Sequence, residues 1–143
     1  ERAGTLPAGD LVKLCFSGKY SEKEVMEIIT AKGGLYGYLG TTSLTTIEKR
    51  IAEGDEKASF IMYAMAYQLA KEIGGMCTVL DGKPDAIILS VELFNNSNFT
   101  RDLSRKIEKI APIALYPDEN EVDALAMNAI GVMKGEIEVL QYS

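Results

Sequence analysis

Ser90, Val91 and Glu92 stand where a ligand would be expected to bind. They follow Ala86-Ile87-Ile88-Leu89, an apolar run without polar alternation that is opened by the turn residues Asp81-Gly82-Lys83-Pro84. Such a run reads as a parallel strand buried on both faces, and in open α/β sheets the ligand crevice lies beyond the carboxyl ends of these strands. A second cluster, Asp118-Glu119-Asn120-Glu121, precedes an apolar-periodic segment. Acidic residues there suit the positive end of a helix dipole; as hard oxygen ligands they could also hold a Mg²⁺–phosphate complex through water. The third stretch, Lys32 to Thr42, has four glycines between Gly33 and Gly40. It reads as a loop, either backbone-lined for a ligand or a mobile connection.

Other chemistries drop out. The chain has no histidine, which excludes a His-based triad or a His-rich metal centre. Cys15 and Cys77 lie in apolar helical settings and read as buried free thiols of a reducing compartment, hence a cytoplasmic protein. A net charge of −6 argues against nucleic acid or an anionic membrane as partner, because phosphate surfaces call for clustered Lys and Arg. No apolar run approaches the roughly 20 residues of a membrane span.

The elements that must position these residues are mostly helical. Gly9 to Phe16 reads as a short helix. Ser21 and Glu24 have capping-box spacing and open a second helix to about Ala31, with Val25, Ile28 and Ile29 on its buried side. A third is expected to be capped near Thr45. Asp55 opens the longest, to about Leu80, with Ala58, Ile61, Met62, Met65, Leu69, Ile73 and Met76 at helical spacing. Gly74-Gly75 inside it suggests close packing against a sheet. Thr100 to Ile110 reads as a helix with a solvated basic face (Arg101, Arg105, Lys106, Lys109), and Pro112 to Pro117 as a second short buried strand. A final amphipathic helix should bury Val122, Leu125, Ala126, Ala129, Ile130 and Met133. Residues 1–143 thus read as the distal part of a larger α/β domain, with one βαβ crossover that is expected to be right-handed. Two strands are few for so many amphipathic helices, so further strands upstream of Glu1 are expected.

The order of motifs resembles the C-terminal part of the butyrate kinases, in the acetate and sugar kinase, Hsp70 and actin superfamily. The resemblance begins at Arg2-Ala3-Gly4-Thr5-Leu6-Pro7 and runs unbroken to Tyr20. It continues through Lys32-Gly33-Gly34-Leu35, Gly40-Thr41, Ala66 to Gly74, and Asp85 to Leu89. Ala111-Pro112-Ile113, Tyr116-Pro117 and Glu121-Val122-Asp123-Ala124-Leu125-Ala126 complete it. It implies an incomplete RNase H-like (ASKHA) domain and the reaction of ATP with butanoate to give ADP and butanoyl phosphate, with Mg²⁺.

Residue by residue, the resemblance implies that Arg2 stabilises charge on the phosphoryl group in flight. It implies that Glu121 and Asp123 order Mg²⁺ through water, Asp123 standing where Glu is commoner. Gly40 and Ser43 fall in an adenosine-side loop in which this chain has Ser43-Leu44-Thr45 in place of the frequent Asp-x-Arg. Ser90, Val91, Glu92, Leu93 and Asn96 fall on the nucleotide rim, where the family pattern is Thr/Ser-Gly-Gly-Ile/Leu. Here a β-branched residue and a carboxylate replace the two glycines. Val resists positive φ and Glu repels phosphate, so weak ATP binding is expected. Codons TCC GGT GGA ACT ATT C for Ser-Gly-Gly-Thr-Ile become TCC GTG GAA CTA TTC, Ser90 to Phe94, by loss of one G. A one-base slip restored a little downstream, or true loss of the site, explains the departure. An uninterrupted frame with the same five residues in close relatives would exclude the slip.

The implied function is part of a carboxylate kinase, inactive as this piece alone, its partners a small carboxylate and a nucleotide. It is expected to form a homo-oligomer or to pair with a missing N-terminal lobe. The competing expectation is a non-catalytic structural or dimerisation remnant that no longer binds nucleotide.

Overall fold

A computed structural model describes residues 1–90, 92–95, 97–116 and 121–139. The chain forms two compact units, Glu1–Met65 and Ala66–Ser143.

The first unit is helical. α1 spans Ala8–Cys15 and α2 Glu22–Thr30. Ser21 and Glu24 make the capping box their spacing predicts: the Ser21 N–H donates to Glu24 Oε2 at 2.7 Å, and the Glu24 N–H donates to Ser21 Oγ at 3.4 Å. Val25 is buried, Ile28 and Ile29 half-buried. The glycine-rich stretch is not a loop. Gly34–Leu39 forms a helix, α3, between Gly33 as N-cap and Gly40 in the left-handed conformation (φ +72°) as C-cap. Three of its glycines meet close neighbours, a Cβ at Gly37 lying 2.9 Å from the Lys32 carbonyl oxygen. Steric room at Gly33, Gly34 and Gly37 and the left-handed turn at Gly40 explain that composition.

α4 spans Leu44–Ala52, and its cap is Ser43 rather than Thr45: Ser43 Oγ accepts the Thr46 N–H at 3.3 Å. Ile47 is fully buried. Gly54 (φ +92°) turns the chain, and Asp55 caps α5, Glu56–Val79, by accepting the Ala58 N–H at 2.9 Å. Ala58 and Met62 are buried on this helix. Among the described residues the expected packing at Gly74-Gly75 is absent: a Cβ at either position would meet none of them within 4 Å, and nothing in the structure explains the pair. The thiols also differ from expectation, Cys15 being exposed and Cys77 half-buried, both free.

The second unit holds a two-stranded parallel sheet. β1 (Ile87–Leu89) pairs with β2 (Ile113–Leu115), Ile87 opposite Ile113 and Leu89 opposite Leu115. Ile87 N–H to Pro112 O and Tyr116 N–H to Leu89 O, both 2.9 Å, extend the ladder at its ends. A 3₁₀ turn, Glu92–Asn95, and α6, Ser97–Ile107, form the crossover between them. Ala66, Ile87, Leu89, Phe99, Leu103, Ile107 and Ala111 are buried apolar residues here. The strand is not buried on both faces, because Ile88 is 65% exposed: side chains alternate across a strand, and only one face is covered. On α6, Lys106 lies 5.2 Å from the Tyr67 ring centroid, within cation–π range, so that part of the basic face is not simply solvated.

α7, Glu121–Met133, forms as expected but its apolar side is open. Val122, Leu125, Ala126, Ala129, Ile130 and Met133 are exposed, Met133 by 86%. Only Gly131 is buried among the described positions of the helix, under Ile137, whose Cδ1 would lie 2.6 Å from a Cβ there. The helical pattern was legible, but no described residue covers the face it defines. No helix among the described residues is long and apolar enough to cross a membrane.

Candidate functional site

Arg2 sits on an extended N-terminal segment held against the end of α2. The Ala3 N–H donates to the Ile29 carbonyl at 2.9 Å, and a Cβ at Gly33 would fall 2.6 Å from the Ala3 nitrogen. Gly34 adopts φ +49°, and a Cβ there would fall 2.7 Å from the Arg2 carbonyl oxygen. The backbone of Arg2-Ala3 thus lies directly on the two glycines. The Arg2 side chain is exposed and makes no ion pair among the described residues, which leaves its charge available to an anion.

Gly40 and Ser43 occupy the α3–α4 connection. Gly40 is exposed, and its N–H donates to the Tyr36 carbonyl at 2.8 Å. Ser43 is committed locally: its N–H donates to Thr41 Oγ1 at 3.1 Å, and its hydroxyl oxygen accepts from both the backbone and the side chain of Thr46. Sequence reasoning missed Arg50, which fixes this connection. Its Nη1 donates to the Leu39 carbonyl at 2.8 Å, and its Nε and Nη2 both reach Asp55 Oδ2 at 2.8 Å. A basic residue in the last turn of one helix, followed by an acidic cap on the next, is the signal that could have shown it.

The Ala58 N–H, and after it the Arg50 guanidinium, hold the Asp55 carboxyl below its ordinary value of 3.8. A carboxylate whose folded pKa is depressed stabilises the fold above its unfolded pKa, and that contribution is lost as pH falls through the folded value. Asp55→Ala is therefore expected to lower the melting temperature at pH 6. The gap from the unsubstituted protein should close as pH drops below 3.8. Carboxyl NMR should place the Asp55 midpoint below 3.8, and Arg50→Ala should move it upward. An unchanged gap at pH 3 would contradict this assignment.

In the second unit, parallel pairing sends the chain out of β1 and β2 at the same edge of the sheet. Ser90, the first residue beyond β1, is exposed, and Leu93 is half-buried in the 3₁₀ turn that also contains Glu92. Val91 and Asn96 lie outside the described residues, as do Asp118, Glu119 and Asn120 of the acidic cluster. α7 begins at Glu121, six residues after Leu115, the last paired residue of β2.

Asp123 is exposed on the first turn of α7. Positions 121 and 123 are two apart and lie on different sides of the helix, about 200° around it. An exposed carboxylate of this kind fits a hydrated Mg²⁺ held through its water shell. Among the described residues, no group of three or more Cys, Asp or Glu could hold a metal directly.

A profile described as the acetokinase family matches residues 1–138. The chain belongs to the acetokinase family. A probable butyrate kinase of Bacteroides thetaiotaomicron is 46% identical over 142 residues, which are 99% of this chain and 40% of that protein. Butyrate kinase 2 of Clostridium acetobutylicum has the same identity and coverage. A probable butyrate kinase 1 of Thermotoga maritima is 44% identical, again over 40% of its length. This acetokinase chain therefore spans about two fifths of the curated relatives it matches.

Solved structures agree on the fold. Porphyromonas gingivalis acetate kinase superposes with a TM-score of 0.80 at 18% identity, covering 92% of this chain and 39% of that one. A propionate kinase from Francisella tularensis gives 0.68 at 15%, covering 82% and 37%. The α/β assignment, with two parallel strands of an incomplete ASKHA domain, holds for this acetokinase member.

Proposed function

We propose that this chain is the nucleotide-side part of a carboxylate kinase that transfers phosphate between ATP and butanoate. The observation that carries it is the match over residues 1–138 to the acetokinase family, joined to 46% identity with proteins named as butyrate kinases. Phosphoryl transfer is mostly positioning and charge stabilisation, with little covalent chemistry left for the protein. In this reading Arg2 faces the transferring phosphoryl group, Asp123 and Glu121 order hydrated Mg²⁺, and Gly40 and Ser43 border the adenosine. Ser90, Val91, Glu92, Leu93 and Asn96 form the phosphate rim. The acyl pocket would lie in the roughly three fifths of the relatives' length that this chain does not match.

The test is butanoyl phosphate formation, trapped as the hydroxamate, by the complete polypeptide with millimolar Mg·ATP. Turnover with butanoate above that with acetate is expected, with none from residues 1–143 alone. The Val91-Glu92 pair favours one alternative, a domain that keeps its fold without nucleotide. In that case ATP would fail to raise the melting temperature, and no butanoate would turn over at any ATP concentration.

A further inference from the structure

We propose that Gly33 and Gly34 are positioning residues for Arg2, setting by their bare backbone where the guanidinium stands; this rests on the reading of Arg2 as the phosphoryl-facing cation. Two contacts carry it. A Cβ at Gly33 would lie 2.6 Å from the Ala3 nitrogen and 2.7 Å from its Cα, and one at Gly34 would lie 2.7 Å from the Arg2 carbonyl oxygen. The atoms met are main chain, which cannot swing aside as a flexible side chain can. Restoring ordinary contact distance would push the Arg2-Ala3 backbone away by roughly 1 Å. The segment cannot absorb that shift freely, because its Ala3 N–H is tied to the Ile29 carbonyl at 2.9 Å. A misplacement of about 1 Å at a reacting group costs on the order of 10²-fold in rate.

Gly37 supplies the contrast. It belongs to the same short helix, but a Cβ there would meet the Lys32 carbonyl at 2.9 Å and nothing of Arg2 or Ala3. A purely structural need for glycine in α3 would make all three positions alike. Positioning of Arg2 would set Gly33 and Gly34 apart.

The experiment is a double-mutant cycle in the complete polypeptide, with Gly33→Ala and Gly34→Asn each combined with Arg2→Ala. Asn tolerates the φ of +49° at Gly34, so the second variant keeps the helix start while still carrying a Cβ, should Gly33→Ala fail to fold. Each glycine variant is expected to lower kcat by roughly 10- to 100-fold with KM for ATP and butanoate nearly unchanged. In the Arg2→Ala background the same substitutions should change kcat by less than about twofold. Gly37→Ala should leave kcat within about threefold, and hydrogen exchange in residues 1–143 should show Ala3 amide protection lost in Gly33→Ala but kept in Gly37→Ala. Equal kcat losses with and without Arg2, or glycine variants as active as the unsubstituted protein, would overturn the proposal. Full activity of Arg2→Ala alone would overturn the reading of Arg2 beneath it, and the exchange data would still report whether the glycines hold the segment.

Discussion

In the complete polypeptide, Arg2→Ala is expected to lower the proposed butanoyl phosphate formation by roughly 10³-fold at saturating Mg·ATP, with the fold unchanged by circular dichroism. The size follows from what an arginine does in phosphoryl transfer. Charge spreads over the three equatorial oxygens as the phosphoryl group passes between donor and acceptor, and a planar cation opposite them is worth about 10³–10⁵ in rate. The lower end applies here, because the Arg2 side chain is exposed and part of its effect would be screened by water. Structure favours a kinetic over a stability effect: the guanidinium makes no ion pair among the described residues, whereas the segment is held through backbone contacts that survive truncation to Ala. Arg2→Lys should recover only part of the rate, since an ammonium lacks the fork that meets two oxygens at once. A loss below tenfold for Arg2→Ala, at saturating nucleotide, would remove this residue from the chemistry.

Where the sequence was legible, local physics had decided the structure. Ser21 and Glu24 satisfy each other within four residues, and Asp55 caps α5 from its own neighbourhood. The apolar runs at Ile87–Leu89 and Ile113–Leu115 needed only one partner each to become a parallel pair. What stayed hidden depended on residues far apart in the chain. Four glycines in a short stretch suggest a loop by propensity, yet Gly33 and Gly34 are required by Arg2 and Ala3, some thirty positions earlier. Nothing in the local pattern announces that approach. Periodicity at Val122, Leu125 and Ile130 announced a helix and an apolar face, and could not say what, if anything, lies over it. Alternation at Ile88 was masked by its own apolar neighbours, so one uncovered face looked like two covered ones. For the site, the expectation of phosphate and Mg²⁺ chemistry came from the family resemblance, residue types alone leaving the acidic cluster to the helix dipole, while the Arg50 clamp on the Gly40–Ser43 connection came from tertiary geometry alone.

The proposed phosphate rim gives the second large expected effect. Val91→Gly with Glu92→Gly is expected to tighten Mg·ATP binding by about 10²-fold, from a millimolar dissociation constant to tens of micromolar. Two separable costs add up to that figure. A carboxylate about 4 Å from a phosphate oxygen repels it by about 1 kcal/mol in water and about 4 kcal/mol near a protein surface, with each 1.4 kcal/mol worth roughly tenfold in affinity. Where a site calls for the backbone freedom of glycine, a β-branched residue such as Val adds strain of about 1–3 kcal/mol. Salt separates them. Glu92→Gln alone should capture the ionic part, and its gain should shrink at high ionic strength as charges are screened. Val91→Gly alone should give a gain that salt leaves untouched. Calorimetric titration with Mg·ATP measures all four proteins. A micromolar dissociation constant for the unsubstituted protein would mean that the rim accommodates phosphate as it stands, with Ser90 and the backbone of the 3₁₀ turn at Glu92–Asn95 supplying what the absent glycines do not.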